Sequence, residues 1–177
     1  LTVGAGVSLP NLLRSAKEAG LAGLERLTGI PAEVGGAVAM NAGTRDGETF
    51  DMLVSLIVVE SDGSIAVRGK DQFRQVYRDG GLGDAIVLQA TFQLEPDDPK
   101  AIFERFSASL KKRNATQPVS QRSVGCVFRN PPGDAAGRLI EAAGCKTLKI
   151  GAVEVSGMHA NYFVNAEGGT AADFVAL

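Results

Sequence analysis

Cysteine and histidine, which titrate nearest neutral pH, number two and one in this chain, and one stretch sets a cysteine among other polar groups. Ser123-Val124-Gly125-Cys126-Val127-Phe128-Arg129-Asn130-Pro131 sets a thiol, a guanidinium and an amide close together, between glycine- and proline-rich breaks. A thiol with an ordinary pKa of about 8.5 can give or take a proton near neutral pH, so Cys126, at the start of an apparent strand, is a candidate acid. The plainer reading of Cys126 is a small buried hydrophobe, the usual state of a free cysteine. Cys145 has no such neighbours and reads as core. Asn130 is held in extended backbone by Pro131, where its amide either meets a ligand or starts a turn. Arg78, following Tyr77, is a cation at a loop mouth, suited to an anionic substrate or to plain solvent exposure. The single histidine, His159, lies in His159-Ala160-Asn161-Tyr162 without a nearby Ser-Asp or Cys-Asn pattern. That argues against a hydrolytic triad, and two scattered cysteines do not complete a Cys/His zinc site. A hydrogen-bonding role is the default for His159, and no metal is expected.

A second stretch, Gly29 to Gly47, has the composition of a loop that lets backbone approach a large ligand. Gly29-Ile30-Pro31-Ala32-Glu33-Val34-Gly35-Gly36-Ala37-Val38-Ala39-Met40-Asn41-Ala42-Gly43 is apolar yet broken by glycine and proline, which predicts a poor regular helix. Glycine permits close approach and positive φ, and exposed N–H groups in such a loop can bind a pyrophosphate. A tightly packed loop without a ligand fits the composition equally well. The expectation is that this run and the Cys126 stretch belong to one active site.

The whole-chain totals narrow the classes. There are 177 residues, a formal net charge of -2, no Trp and two cysteines. No concentration of Lys and Arg suggests a nucleic-acid groove, and aromatics are too sparse for a base-stacking platform. No apolar run approaches the ~20 residues of a membrane helix, and no signal peptide is visible. Reduced thiols in the cytoplasm are the simpler reading of two cysteines. The chain opens in a strand and stops in an amphipathic run, so it reads as a piece of a longer one.

The elements that must position these residues follow from spacing. Leu1–Val3 is a strand, and Gly4 and Gly6 form a turn. Ser8 is placed to cap a helix carrying Leu9, Leu12, Leu13 and Ala16, with Pro10 in its first turn and Gly20 at its end. Val54–Glu60 and Ile65–Arg68 form a hairpin about Ser61–Ser64. Asp71–Tyr77 reads as a short helix and Ile86–Leu94 as a half-buried strand. The polar, proline-flanked Glu95–Pro99 is the candidate boundary. A helix over Lys100–Asn114 follows, with Ile102, Phe103, Phe106 and Leu110 as its buried stripe and Lys111, Lys112 and Arg113 at its basic end. Ala135–Ala143 is a helix with Leu139 and Ile140 inward. Val153–Ser156 and Tyr162–Asn165 are strands, and Thr170 caps a last helix with Phe174 and Leu177 as its apolar face.

These segments, in order, resemble the UDP-N-acetylenolpyruvoylglucosamine reductase family of flavoenzymes. Val3-Gly4-Ala5-Gly6 and Gly20-Leu21-Ala22-Gly23-Leu24-Glu25 resemble its lead-in. Gly29-Ile30-Pro31, Val34-Gly35-Gly36-Ala37 and Met40-Asn41-Ala42-Gly43 resemble its flavin-binding run. Phe73 with Tyr77-Arg78 resembles its active-site arginine motif. Gln117-Pro118 and Ser123 to Pro131 resemble its proton-donor motif. Gly137-Arg138-Leu139-Ile140-Glu141 and His159-Ala160-Asn161-Tyr162 continue the match.

The resemblance implies an α+β fold, with a vanillyl-alcohol-oxidase-type FAD-binding domain ending in residues 1–96 and a smaller α+β substrate-binding domain beginning in residues 97–177. It implies FAD as cofactor and NADPH as co-substrate. The reaction is reduction of the UDP-N-acetylglucosamine enolpyruvyl ether to UDP-N-acetylmuramate, in the cytoplasm, for peptidoglycan precursors and so for cell shape and division. A monomer without nucleic-acid or membrane partners is expected. Cys126 falls where most members have a proton-donating serine, and Arg78 matches the arginine at the substrate carboxylate. Gly29, Ile30, Pro31, Gly35, Gly36, Ala37, Asn41 and Gly43 fall in the cofactor run. Tyr77, Asn130, His159 and Asn161 fall among substrate positions. The resemblance further places a first FAD segment before Leu1 and a catalytic glutamate after Leu177. Ala32 and Glu33 depart from the small uncharged residues usual after Ile30-Pro31, and the absence of an inserted tyrosine-bearing loop points to the shorter family type. The alternatives are a flavin- or uridine-nucleotide-binding module without catalysis, and a flavoprotein oxidase of the same fold.

Overall fold

In the computed structural model, which describes residues 1–177, the chain divides into two units, Leu1–Leu110 and Lys111–Leu177. The first unit opens with β1 (Thr2–Gly4) and α1 (Leu9–Glu18). Leu9, Leu12, Leu13 and Ala16 recur at helical spacing and are all buried, so α1 turns one apolar stripe to the core. Pro10 sits in its first turn, and Gly20 takes φ 65 just beyond its end. Ser8 makes no side-chain cap; its carbonyl instead accepts from Leu12 N–H.

β2 (Leu21–Ala22) leads through a single turn at Leu24–Leu27 to α2 (Val34–Ala39) and α3 (Thr49–Met52). The α2 segment was expected to be a poor helix, yet it forms a short one. Val34, Ala37 and Val38 share a face and are buried. Their packing outweighs the ~1 kcal/mol that each glycine costs a helix.

β3 (Leu53–Val59), β4 (Ile65–Gly69) and β5 (Ile86–Phe92) complete an antiparallel sheet in the order β1-β5-β3-β4. The β3–β5 register slips between Leu53 and Ser55, which lets Leu53, Leu56 and Val58 all reach the core. Between β4 and β5 the expected helix over Asp71–Tyr77 shrinks to one turn at Lys70–Gln72. Phe73 leaves that turn in extended backbone to bury its ring edge-on against Phe50, with centroids 6.1 Å apart.

β6 (Glu95–Pro96) pairs with β2, and α4 (Pro99–Thr116) follows. Ile102 is buried in α4, but Phe103 is 51% exposed, against expectation. The Lys17 ammonium stands 5.2 Å from the Phe103 ring and 5.9 Å from Phe106, so that face is a cation–aromatic contact at the surface.

The second unit carries another antiparallel sheet, β7 (Ser123–Cys126), β10 (Tyr162–Asn165), β9 (Val153–Val155) and β8 (Lys149–Ile150), in that spatial order. Cys126 ends β7 rather than starting a strand. α5 (Ala136–Ala142) buries Ala136 and half-buries Ile140, while Leu139 faces out at 43% exposure. In α6 (Ala171–Ala176) the Thr170 hydroxyl accepts from Asp173 N–H, as expected of a cap. Phe174 and Leu177 pack against the small core of Val153, Val155, Ala160 and Phe163.

Candidate active site

In the first unit the glycine-rich run is stitched to the chain's opening turn. Val34 N–H donates to the Val7 carbonyl at 2.9 Å, and Gly35 N–H donates to the Ala5 carbonyl at 2.8 Å. A Cβ on Gly35 would stand 3.0 Å from that of Ala5, so a larger residue there would force Ala5 to shift by a few tenths of an ångström. Gly4, Gly6 and Gly36 differ: a Cβ at any of them meets nothing within 4 Å. Gly29, Pro31 and Gly36 are exposed, Ile30 and Gly35 are half-buried, and Ala37 is in the core. The loops therefore offer side-chain-free backbone surface, suited to a flat ligand. The N–H groups of Val34 and Gly35 are committed internally.

Asn41 turns inward instead. It is 1% exposed, at φ 39, in the left-handed region that asparagine tolerates. Its Nδ2 donates to Glu48 Oε2 at 2.7 Å, and its Oδ1 accepts from Phe50 N–H at 3.1 Å. Glu48 faces Arg78 in turn, with Nη1 3.4 Å from Oε1. Arg78 Nη2 also donates to the Gly43 carbonyl at 2.9 Å, and the guanidinium lies 4.6 Å from the Tyr77 ring centre. Arg78 sits in a tight turn closed by paired backbone bonds between Val76 and Asp79, at φ 62. That conformation costs a non-glycine residue roughly 1 kcal/mol, which the surrounding bonds offset. The result is a cation fixed in position, joined through one carboxylate to a buried amide.

In the second unit the Cys126 segment is pinned by one buried side chain. Asn161, 2% exposed, donates from Nδ2 to the Phe128 carbonyl at 2.8 Å and accepts at Oδ1 from Phe128 N–H at 2.9 Å. Its own carbonyl accepts from Val127 N–H at 2.9 Å. Asn130 Oδ1 accepts from Ala136 N–H at 3.0 Å and so caps α5. His159 is half-buried, with Nδ1 accepting from Asn161 N–H at 3.3 Å and its ring 4.8 Å from that of Tyr162. Cys126 is exposed and lies across the β7–β10 ladder from Tyr162. Burial is the main cause holding the Tyr162 phenol above its ordinary range; the charge of Cys126 adds to it and that of Arg113 opposes it. Cys145 is half-buried, and neither cysteine is in a disulfide.

Comparison with known proteins identifies both units. Residues 1–68 match the family described as FAD binding domain, and residues 117–177 match the C-terminal domain of UDP-N-acetylenolpyruvoylglucosamine reductase. The chain is 47% identical over 175 residues to the UDP-N-acetylenolpyruvoylglucosamine reductase of Alkalilimnicola ehrlichii, covering 98% of this chain and 58% of that protein. The namesake from Moorella thermoacetica is 45% identical, with the same two coverages of 98% and 58%. A crystal structure of the reductase from Thermus caldophilus aligns with a TM-score of 0.93 at 41% identity, covering 99% of this chain and 65% of that one.

The chain belongs to the UDP-N-acetylenolpyruvoylglucosamine reductase family. It spans about 58% of the length of the first curated relatives it matches. Membership supports the expected fold class, with an FAD-binding domain and the reductase C-terminal domain both matched.

Within this reductase-family chain, the structure brings Arg78, Tyr77, Asn41 and Gly43 together in one unit, and Cys126, Asn161 and His159 together in the other. Sequence reasoning missed Glu48, which links Asn41 to Arg78 across separations of 7 and 30 residues. Its visible signal, a carboxylate followed three residues later by Asp51, announces only the capping box that it also forms. Tyr162 and Gln117 were quoted within motifs but given no role. Their contact, 2.8 Å between Tyr162 Oη and Gln117 Oε1, joins residues 45 apart.

Proposed function

We propose that the protein is an FAD-dependent, NADPH-driven reductase of the UDP-N-acetylglucosamine enolpyruvyl ether, making UDP-N-acetylmuramate for peptidoglycan. The observation that carries this reading is the pair of family matches, one in each unit, on a chain 47% identical to a named reductase. In this reading residues 1–96 are the FAD part and residues 97–177 the substrate part. A cytoplasmic monomer serving cell-wall growth, cell shape and division goes with it.

The backbone of the first unit fits a flavin: Gly4, Gly6 and Gly36 leave open space where side chains would stand. When bound, FAD supplies hydride transfer between the nicotinamide and the enolpyruvyl double bond. The chain's own residues do the rest. Backbone about Gly29, Ile30, Pro31, Gly35, Gly36 and Ala37 holds the cofactor, with Asn41 and Gly43 shaping the turn behind it. Arg78, anchored by Glu48 and Gly43, stabilises the negative charge that gathers on the substrate carboxylate as the enol forms. Cys126 gives its thiol proton to the neighbouring carbon and is left as thiolate. Asn161 fixes the backbone that carries that thiol, and Tyr77, Asn130 and His159 help hold the nucleotide-sugar.

The test is a visible spectrum of the purified protein with FAD under anaerobic conditions. NADPH should bleach the flavin band, and adding the enolpyruvyl substrate should restore it. Recovery only on admitting oxygen would make the protein an oxidase of this fold. Failure to take up FAD at all would leave a nucleotide-binding module.

A further inference from the structure

The side chain opposite the thiol has no part in the reading above, although its surroundings are built in detail. Cys126 and Tyr162 are direct partners in the antiparallel β7–β10 ladder. Directly opposed side chains on such a ladder stand about 4.5–5.5 Å apart at Cβ and interact. Tyr162 is 6% exposed, its ring is edge-on to His159, and its hydroxyl is 2.8 Å from the Gln117 amide. A buried tyrosine hydroxyl needs a partner, and Gln117 supplies one. A phenol both donates and accepts, whereas a glutamine amide presents an oxygen on one side and an NH₂ on the other. Here Tyr162 donates to Gln117 Oε1 at 2.8 Å, and the Cys126 sulfur across the ladder is a second acceptor within reach of the same hydroxyl. The nearest chemistry that gains an acceptor is Cys126 once it has lost its proton.

We propose that Tyr162 is a positioning residue for Cys126: its hydroxyl, which donates to Gln117 at rest, turns to the sulfur and stabilises the thiolate that remains after protonation of the substrate. No proton leaves the phenol in this step. The S–H bond breaks, the proton goes to substrate carbon, and the O–H···S⁻ bond strengthens as charge develops. The phenol's raised pKa keeps it protonated over the range in which a thiol titrates. Tyr162 faces Cys126 across the ladder, with His159 against the Tyr162 ring and the charge of Arg113 acting on the phenol, and Arg122 and Arg129 lie close to Cys126 in sequence. This inference rests on the reading of Cys126 as the acid, but its test does not.

The test is the pH dependence of iodoacetamide alkylation at Cys126, in a Cys145→Ala background so that one thiol reports. Tyr162→Phe keeps the ring and removes only the hydroxyl. It should raise the thiol pKa by about one unit and slow alkylation at pH 7 several-fold, the scale of one charge-assisted hydrogen bond. Gln117→Ala removes the acceptor that competes for the hydroxyl and should lower the pKa, and it decides the matter if Tyr162→Phe does not fold. An unchanged pKa in the folded Tyr162→Phe protein, or in Gln117→Ala where that must serve, overturns the proposal. Alkylation needs neither flavin nor substrate. A negative result therefore removes the role of Tyr162 and leaves the reductase reading to the flavin titration.

Discussion

Arg78 and Cys126 are held by different means, and the contrast follows from the cores behind them. The first unit buries faces of α1, α2, β3 and β5 in one cluster that includes Leu9, Leu27, Val38, Phe50, Leu56 and Phe92. Against that support, a turn with Arg78 at positive φ can be maintained. The second unit's cluster is Val153, Val155, Ala160 and Phe163. There, side-chain amides do more of the positioning: Asn161 grips Phe128, Asn130 caps α5, and Asn165 bonds both ways to Gly169. A thin core leaves backbone polar groups within reach of side chains, and these replace packing as the source of order.

The largest effect expected is on turnover. Cys126→Ala should slow reduction of the enolpyruvyl substrate about 10²–10⁴-fold, the usual worth of a positioned general acid. Bleaching of the flavin by NADPH serves as the internal reference for a separate half-reaction. Cys126→Ser should recover much of the loss, because a hydroxyl stands in the same place. Equal slowing of both half-reactions, seen by stopped-flow absorbance, would break the division of labour between the two units.

The next effect is on stability. Asn41→Ala removes the acceptor of a buried Phe50 N–H and a donor to the Glu48 carboxylate. Leaving such groups unpaired costs about 2–4 kcal/mol in all, read as a lower urea midpoint. Asn161→Ala strips two bonds from Phe128, and about 1–2 kcal/mol is expected there. Its distinctive sign should be local: faster amide exchange at Phe128, with the strands of the first unit unchanged. If Asn161→Ala instead unfolds the whole chain as strongly as Asn41→Ala, the contrast between packed and amide-pinned regions fails.

What was legible in the sequence follows the same division. α1 was readable because its burial repeats at helical spacing, and the β3–β4 hairpin and β10 because their runs are rich in β-branched and aromatic residues. α2 was not, since its helix exists through packing of Val34, Ala37 and Val38 against propensity. The short helix expected at Asp71–Tyr77 gave way because burying Phe73 outweighed continuing the turn. Residue types and motif order singled out Arg78, Cys126 and the glycine run as candidates. The contacts that hold two of their segments were invisible: Glu48 to Arg78 and Tyr162 to Gln117 are made only in the folded chain.

The smallest effect concerns acid pH and extends the comparison to surface charges. In the first unit Arg105 bonds both Asp97, at 2.7 Å, and Glu25, at 2.9 Å. In the second, Arg138 pairs with Asp134 one turn away. The bond to Arg138, then that from Ala135 N–H, brings Asp134 down to about 2, and the bond from Arg105 lowers Asp97. A carboxylate depressed on folding stabilises the fold above its unfolded pKa, near 4. That contribution is lost as pH falls through the folded value, so for Asp134 the window is about pH 4 down to about 2. Both carboxylates are at the surface, where solvent and salt screen such pairs. Asp134→Asn should therefore flatten the fall in melting temperature across that window only slightly. In ~1 M NaCl, where the screening length is near 3 Å, the difference from the parent should shrink further. A difference that survives high salt would assign the depression of Asp134 chiefly to the Ala135 N–H. The second unit would then be ordered at its surface, as at Cys126, by side chains bonded to backbone rather than by paired charges.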